Sequence, residues 1–335
     1  MMISIGDMAQ SFLARAHQGR LKMQVSELGL ALTTGRVTDR AAHLRGDSAS
    51  AHSLSLQLSR LDGFRVTGSE AKLLATGMQT ALGRVQELQQ DLAPLLLQAN
   101  LLVTPELRQT LADQSANALS DMIGALNTTA GGQYLFGGAA TERAPLQNAT
   151  SLIDDLVAAI GPSPELTSVQ DALDQWFDLP AGGFETQTYL GAADGRSDFS
   201  IASGKVASLS IRADDPAIRD GLKGLAKAVL ASDTRIGLSA RDQTDLLKDA
   251  GTTLTATQSQ LSVLRASVGV QENRIEAAAT LVASESRALN IALSRLVGAD
   301  PYETASELEA SQVQLETLYT VTLRASQLSL VNFLK

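Results

Sequence analysis

Stepping by seven from Leu254 meets Leu261, Val268, Ile275, Val282, Leu289 and Leu296 without a break. An apolar stripe held for that long is a coiled-coil-like seam and predicts one helix spanning about 65 Å at 1.5 Å per residue. The intervening heptad positions, Thr257, Leu264, Gln271, Ala278, Glu285 and Ala292, are weaker and partly polar. Such a helix cannot hide its stripe alone. A partner lies upstream, where Leu74, Met78, Ala81, Val85, Leu88, Leu92, Leu95, Ala99 and Leu102 alternate steps of four and three. They form one face of a second long helix, which Pro94 is placed to kink.

Proline and aromatic residues set the boundaries of this helical frame. Seven of the twelve aromatics lie between Tyr134 and Phe199, and five of the eight prolines between Pro145 and Pro216. None of the prolines falls before Pro94 or between Ala217 and Asp300. Proline costs about 3 kcal/mol inside a helix, so long helices are permitted at both ends while the middle breaks up. In VTPEL, Thr104 can cap and Pro105 can open a helix that runs to about Ala130, where Gly131 and Gly132 stop it. QYLF, TQTYL and KVASLSIRA then have strand character, with an Asp-Gly turn in AADGRSD, and DPAIRDGLKGLAKAVLA returns to helix.

The expected fold is mainly α: a long antiparallel helical coiled-coil bundle formed by the N- and C-terminal regions, with a small mixed α/β insertion. The expected division is a terminal helical domain at 1–36 and 300–335, a long-helix bundle at 37–132 and 240–299, and an insertion at 133–239. The ends mirror each other. Ala14, Gln18, Leu21, Val25, Leu28 and Leu32 share one face of the first segment, and Leu308, Leu315, Leu318, Ala325 and Leu328 share one of the last. Further apolar residues lie off these seams, including Phe12, Leu13 and Met23 at one end and Val313, Val321, Leu323, Val331, Phe333 and Leu334 at the other. Helices apolar on more than one face need neighbours. The expected subunit interface therefore comprises Phe12, Leu21, Val25, Leu28, Leu32, Leu308, Leu315, Leu318, Leu328 and Phe333.

Chemistry is poorly served by this sequence. A formal charge of -9 with dispersed bases argues against nucleic acid. The absence of cysteine removes disulfides, thiolate metal sites and cysteine nucleophiles. His17, His43 and His52 have no metal-ligand spacing, and no nucleophile-elbow, Walker or dinucleotide motif occurs. Asp214 and Asp215 precede Pro216 and read as a helix cap, while Asp154 and Asp155 read as a solvated face or cap. The sequons at Asn127 and Asn148 and the tripeptide Arg45-Gly46-Asp47 carry little weight. No catalytic, cofactor-binding or metal-binding residue is expected. The start lacks the basic-then-apolar order of a secretory leader, and no apolar run is long enough to span a bilayer, so neither a cleaved leader nor a membrane is expected.

Several segments resemble the bacterial flagellin superfamily. LALTTGRV, from Leu30 to Val37, is similar to the segment that follows the first flagellin helix, although the turn beyond it reads TDRAAHLRGD here. LRASVGVQENRIEAA resembles the family's arginine-glycine-glutamine-asparagine-arginine signature, carried by Arg265, Gly269, Gln271, Asn273 and Arg274. Residues Ala299 to Leu334 resemble its terminal helix. Within the superfamily, QYLFGG (Tyr134, Leu135, Phe136, Gly137 and Gly138 after Gln133) and the ending LSLVNFL are similar to the hook-filament junction family, hook-associated protein 3.

The resemblance implies a non-enzymatic subunit of the flagellum, extracellular and exported unfolded by the flagellar type III pathway with a chaperone on its C-terminal segment. It implies self-assembly into a ring between hook-associated protein 1 and flagellin. A short flagellin, or a cytoplasmic coiled-coil adaptor, are the alternatives.

Overall fold

The computed structural model describes residues 5–38, 48–98, 104–162 and 164–333, with side chains described from 12 to 324 of these. The helices are α1 (Ile5–Thr34), α2 (Ser48–Gln98), α3 (Pro105–Leu126), α4 (Ala149–Ile160), α5 (Leu166–Asp178), α6 (Pro216–Leu230), α7 (Ala240–Val297) and α8 (Pro301–Phe333). Two antiparallel pairs, β1 (Thr129–Ala130) with β2 (Gln133–Tyr134) and β3 (Phe199–Ala202) with β4 (Lys205–Ala207), supply the strands. The protein is thus mainly α with a small mixed insertion. It divides into Met1–Asp62 with Ala283–Lys335, and Gly63–Val282. The terminal unit and the central unit are taken in turn.

In the central unit α2 and α7 run antiparallel. Lys72 donates to Glu276 at 2.6 Å, Thr76 to Glu272 at 3.4 Å and Gln79 to the Arg265 carbonyl at 2.7 Å, so numbers rise along one helix as they fall along the other. Leu254, Leu261, Val268, Ile275 and Val282 of the heptad stripe are all buried, as are Leu74, Met78, Ala81 and Val85 of the predicted partner face. α3 and α6 close over this pair and bury Leu119, Met122, Leu222 and Leu225. The partner face drifts at its end: Leu95 is 45% exposed and Leu96 is buried instead. An unsupercoiled helix advances 3.6 residues per turn, so a strict seven-residue pattern rotates out of the seam. Ala99 and Leu102 lie outside the described residues.

The insertion departs from expectation in three places. α3 ends at Leu126, not near Ala130, because Asn127 turns its side chain to Leu146, accepting from its N–H at 3.0 Å and donating to its carbonyl at 2.9 Å. Thr129–Ala130 then form a strand, and Gly131 and Gly132 are the two central residues of a hairpin rather than a helix stop. Both have positive φ, 58° and 79°, as a type I′ turn demands. TQTYL is not a strand: Phe184–Thr188 form a single π-helical turn, and Tyr189 alone makes a bridge, to Leu146. KVASLSIRA is strand only at Lys205–Ala207.

Caps explain where the other helices start. Thr104 accepts from the Leu107 N–H ahead of Pro105, and Asn148 from the Ser151 N–H. Asp215 accepts from the Ala217 N–H with Pro216 at the first helical position, as expected, while Asp214 pairs with Arg212 at 2.7 Å.

Candidate assembly surfaces and the motif clamp

The terminal unit is organised by α1 against α8. Gly35, with φ 67°, ends α1, and the chain then bridges to the start of α8. Arg36 pairs with Gly298, the Val37 N–H donates to the Val297 carbonyl at 3.1 Å, and the Ala299 N–H donates to the Gly35 carbonyl at 3.1 Å. Gly298 is required there, since a Cβ would lie 2.3 Å from the Ser294 carbonyl oxygen. Asp300 starts α8 by accepting from the Tyr302 and Glu303 N–H groups ahead of Pro301. These contacts account for both terminal motifs, LALTTGRV and the Ala299-Asp300-Pro301 step.

Of the expected interface residues, Leu21, Val25 and Leu28 of α1 and Leu308, Leu315 and Leu318 of α8 are half-buried. Phe12 is 73% exposed and Leu32 is exposed, its place in the seam taken by Ala31. The side chains of Leu328 and Phe333 lie outside the described ones. Thr304 and Ser311, which the apolar pattern passed over, are buried one step before Leu308 and Leu315. Small residues there allow close helix approach. Lys22 stands over the Tyr319 ring at 5.8 Å, and hydrogen bonds from Lys22 and Gln18 hold the Tyr319 phenol below its ordinary pKa. Leu13, Met23, Leu30, Val313 and Val321 remain exposed on the outer faces. Among the described residues of this unit, the buried apolar set is Ala31, Leu61 and Val297 alone.

In the central unit the two sequence signatures prove to be clamps. The Gln79 Nε2 donates to the Arg265 carbonyl, Arg265 Nε donates back to Gln79 Oε1 at 3.2 Å, and its Nη1 donates to Gln86 at 2.6 Å. Arg265 therefore ties α7 to two points on α2 about two turns apart. Gly269 lies beside Gln79, and Gln271 accepts from the Ser208 N–H at 3.4 Å, joining α7 to the loop after β4. Asn273 and Arg274 are exposed. Gln79 and Gln86, the partners of Arg265 on α2, carry no apolar signal and were invisible to the periodicity.

QYLFGG is the second clamp. Leu135 and Phe136 are buried, with Leu135 lying so close to Gly77 of α2 that a Cβ there would come within 2.9 Å of it. The Tyr134 N–H donates to the Thr141 carbonyl, and its own carbonyl accepts from Arg196 at 2.7 Å. The Phe136 carbonyl accepts from the Ala213 N–H at 2.9 Å, and the Gly137 carbonyl from the Ala192 N–H at 2.9 Å. A Cβ on Gly137 would meet the Ala140 carbonyl oxygen at 2.4 Å. Gly138 has φ 63°, and a Cβ on it would meet the Asp194 carbonyl oxygen at 2.5 Å. The motif's glycines are thus fixed by backbone crowding, and its Leu135 and Phe136 are core while Tyr134 is half-buried.

Charge in this unit is structural. Lys223 reaches Asp174 at 2.6 Å and Asp178 at 2.7 Å, and Lys227 reaches Asp249 at 2.9 Å. Burial works against the Lys223 ammonium, but its hydrogen bonds to the two aspartates outweigh that and hold its pKa above the ordinary lysine value. Asp154 pairs with Arg235 and Asp155 accepts from Gln147. His17 and His52 are exposed; His43 and Arg45-Gly46-Asp47 lie outside the described residues. Among the described residues no group of metal-ligating side chains occurs, and no helix is long and apolar enough to cross a membrane.

Residues 249–334 match the model of a protein family described as the bacterial flagellin C-terminal helical region. By structure the chain is similar to a protein described as a flagellar hook-associated protein of Vibrio parahaemolyticus. The TM-score is 0.52 at 11% identity, covering 74% of this chain and 96% of that one. It is also similar to FlgL of Bacillus cereus, with TM-score 0.52 at 15% identity, covering 72% of this chain and 99% of that one. At such identities the likeness is one of fold. No curated protein matches the sequence.

Proposed function

We propose, from a C-terminal region that matches the flagellin C-terminal helical family, that this chain is a structural, non-enzymatic subunit of the bacterial flagellum. More finely, we place it in the junction layer between hook-associated protein 1 and the flagellin filament. The observation that carries the reading is the pairing of α1 with α8 in a unit that buries little and leaves apolar side chains outward on both helices. A unit of that kind gains its missing cover from neighbouring subunits, and ordering is then completed at assembly. The fold likeness to a hook-associated protein and to FlgL, and the QYLFGG clamp, favour the junction over the filament.

The same reading has the chain exported unfolded through the flagellar type III pathway, with a chaperone covering the C-terminal segment until assembly. A short flagellin is the second reading, favoured by the family model being that of flagellin itself. Deleting the gene separates them. Bare hooks, with flagellin shed unpolymerised into the medium, are expected for a junction subunit. Loss or alteration of filaments with no flagellin shed would make the chain a filament subunit. Unchanged filaments and motility would overturn the flagellar role.

A further inference from the structure

A polar cleft of about 390 Å³ opens in the central unit between α6 and α7, with the end of α5 at its edge. Asp220, Lys223 and Lys227 share one face of α6 at steps of three and four, and Asp178 is the last residue of α5. Thr252, Thr257 and Gln260 line it from α7. The two helices are pressed together beside it at Gly224, where a Cβ would lie 2.8 Å from the Leu254 side chain. Packed helices therefore wall the cleft, and its polar groups are held in place before anything binds.

The hydrogen-bonding capacity of these groups is only partly used. An ammonium has three N–H groups. Lys223, 8% exposed, directs two of them at Asp174 and Asp178, and Lys227, 7% exposed, directs two at Asp249 and Thr253. Each keeps one donor, and both side chains line the cleft. Asp220 accepts no hydrogen bond among the described residues. Burial, reinforced by Asp178, raises its carboxyl despite Lys223, Arg219 and Lys227, so its negative charge is undercompensated. Thr252 donates to the Lys248 carbonyl, and Thr257 to the Leu254 carbonyl and Gln89, which leaves both hydroxyls as acceptors.

A lone anion entering the cleft meets Asp178 and Asp220, and a lone cation meets two ammoniums. A molecule carrying both charges meets a partner for each. We propose that the cleft binds a small zwitterion with one carboxylate and one ammonium. The carboxylate accepts from Lys223 and Lys227, and the ammonium donates to Asp220 and to the Thr252 and Thr257 hydroxyls. Side chains three or four residues apart on a helix stand about 5–6 Å apart, so the two poles of the ligand are separated by a short chain, as in 4-aminobutyrate. This site goes beyond the flagellar reading and does not depend on it.

The test is calorimetric titration of the full-length chain at pH 7 and low salt with 4-aminobutyrate. Butyrate and butylammonium serve as one-charge controls and glycerol as the uncharged one. Saturable one-to-one binding of 4-aminobutyrate is expected, with every control weaker by about tenfold or more, the worth of one charge-assisted hydrogen bond. Asp220→Asn keeps the shape and removes the charge, and is expected to weaken 4-aminobutyrate by about tenfold while leaving butyrate no weaker. Absence of saturation up to about 50 mM, or a control that matches 4-aminobutyrate, would overturn the site. Undiminished binding to Asp220→Asn would overturn it as well.

Discussion

The terminal and central units are both long helices paired antiparallel, yet they treat their apolar residues in opposite ways. In the central unit the seam from Leu254 to Val282 is buried, and α3, α6 and the QYLFGG clamp cover what two helices cannot. In the terminal unit α1 packs chiefly on α8, and Leu21, Val25, Leu28, Leu308 and Leu315 stop at half-burial. Two helices expose most of their surface however well they pair; a core needs a second layer. The central unit therefore encloses a core of its own, and the terminal unit leaves its seam half covered.

The sharpest break of that comparison is limited proteolysis of the monomer. Local opening that differs by about 3 kcal/mol between the units changes cleavage by roughly 100-fold where opening is fast. Cuts are expected first in α1 and α8, leaving a resistant fragment near Gly63–Val282; equal resistance of the ends would mean that they are already covered. Phe136→Ala, in the fully buried clamp, is expected to cost the central unit about 3–5 kcal/mol in a urea titration followed by Trp176 fluorescence. A loss below about 1 kcal/mol would show that the clamp is not part of the core.

Leu28→Ala, on the half-buried terminal seam, is expected to cost about 1 kcal/mol, read as lost helical circular dichroism at low temperature, with the Trp176 transition unmoved. Coupled loss of both signals would join the two units into one cooperative body. The smallest effect concerns Asp220. Burial, with Asp178 adding to it, raises its carboxyl above the ordinary aspartate pKa despite Lys223 and Arg219. The native state then holds the proton more tightly than the unfolded chain, so stability falls as pH rises through the raised value and the cost is present at neutral pH. Asp220→Asn is expected to raise the melting temperature at pH 7 and to change nothing below the ordinary aspartate range. A lowered melting temperature at pH 7 would show that the Lys223 attraction outweighs burial.

Helix existence was legible wherever one period persisted. The seven-step stripe fixed α7, the four-three face fixed α2, and proline placement marked where the insertion had to break. Legibility failed where a residue's role is set by something distant in sequence. TQTYL has strand composition, but Trp176 donates to Thr188 at 3.3 Å and Phe184 packs against Phe177 with ring centroids 5.6 Å apart, and those contacts hold it as a π-helical turn. Gly131 and Gly132 could end a helix or turn a hairpin, and the choice fell to Asn127, whose side chain is engaged by Leu146. Arg265 could be picked from its signature; Gln79 and Gln86 could not.

What the sequence by itself determined is the helical frame and its polarity, because periodicity and proline act within a few residues of where they stand. Tertiary structure alone decided which stripes are satisfied. Burial depends on how many layers converge on a helix, and no residue on α1, α7 or α8 records locally whether a third element lies across it.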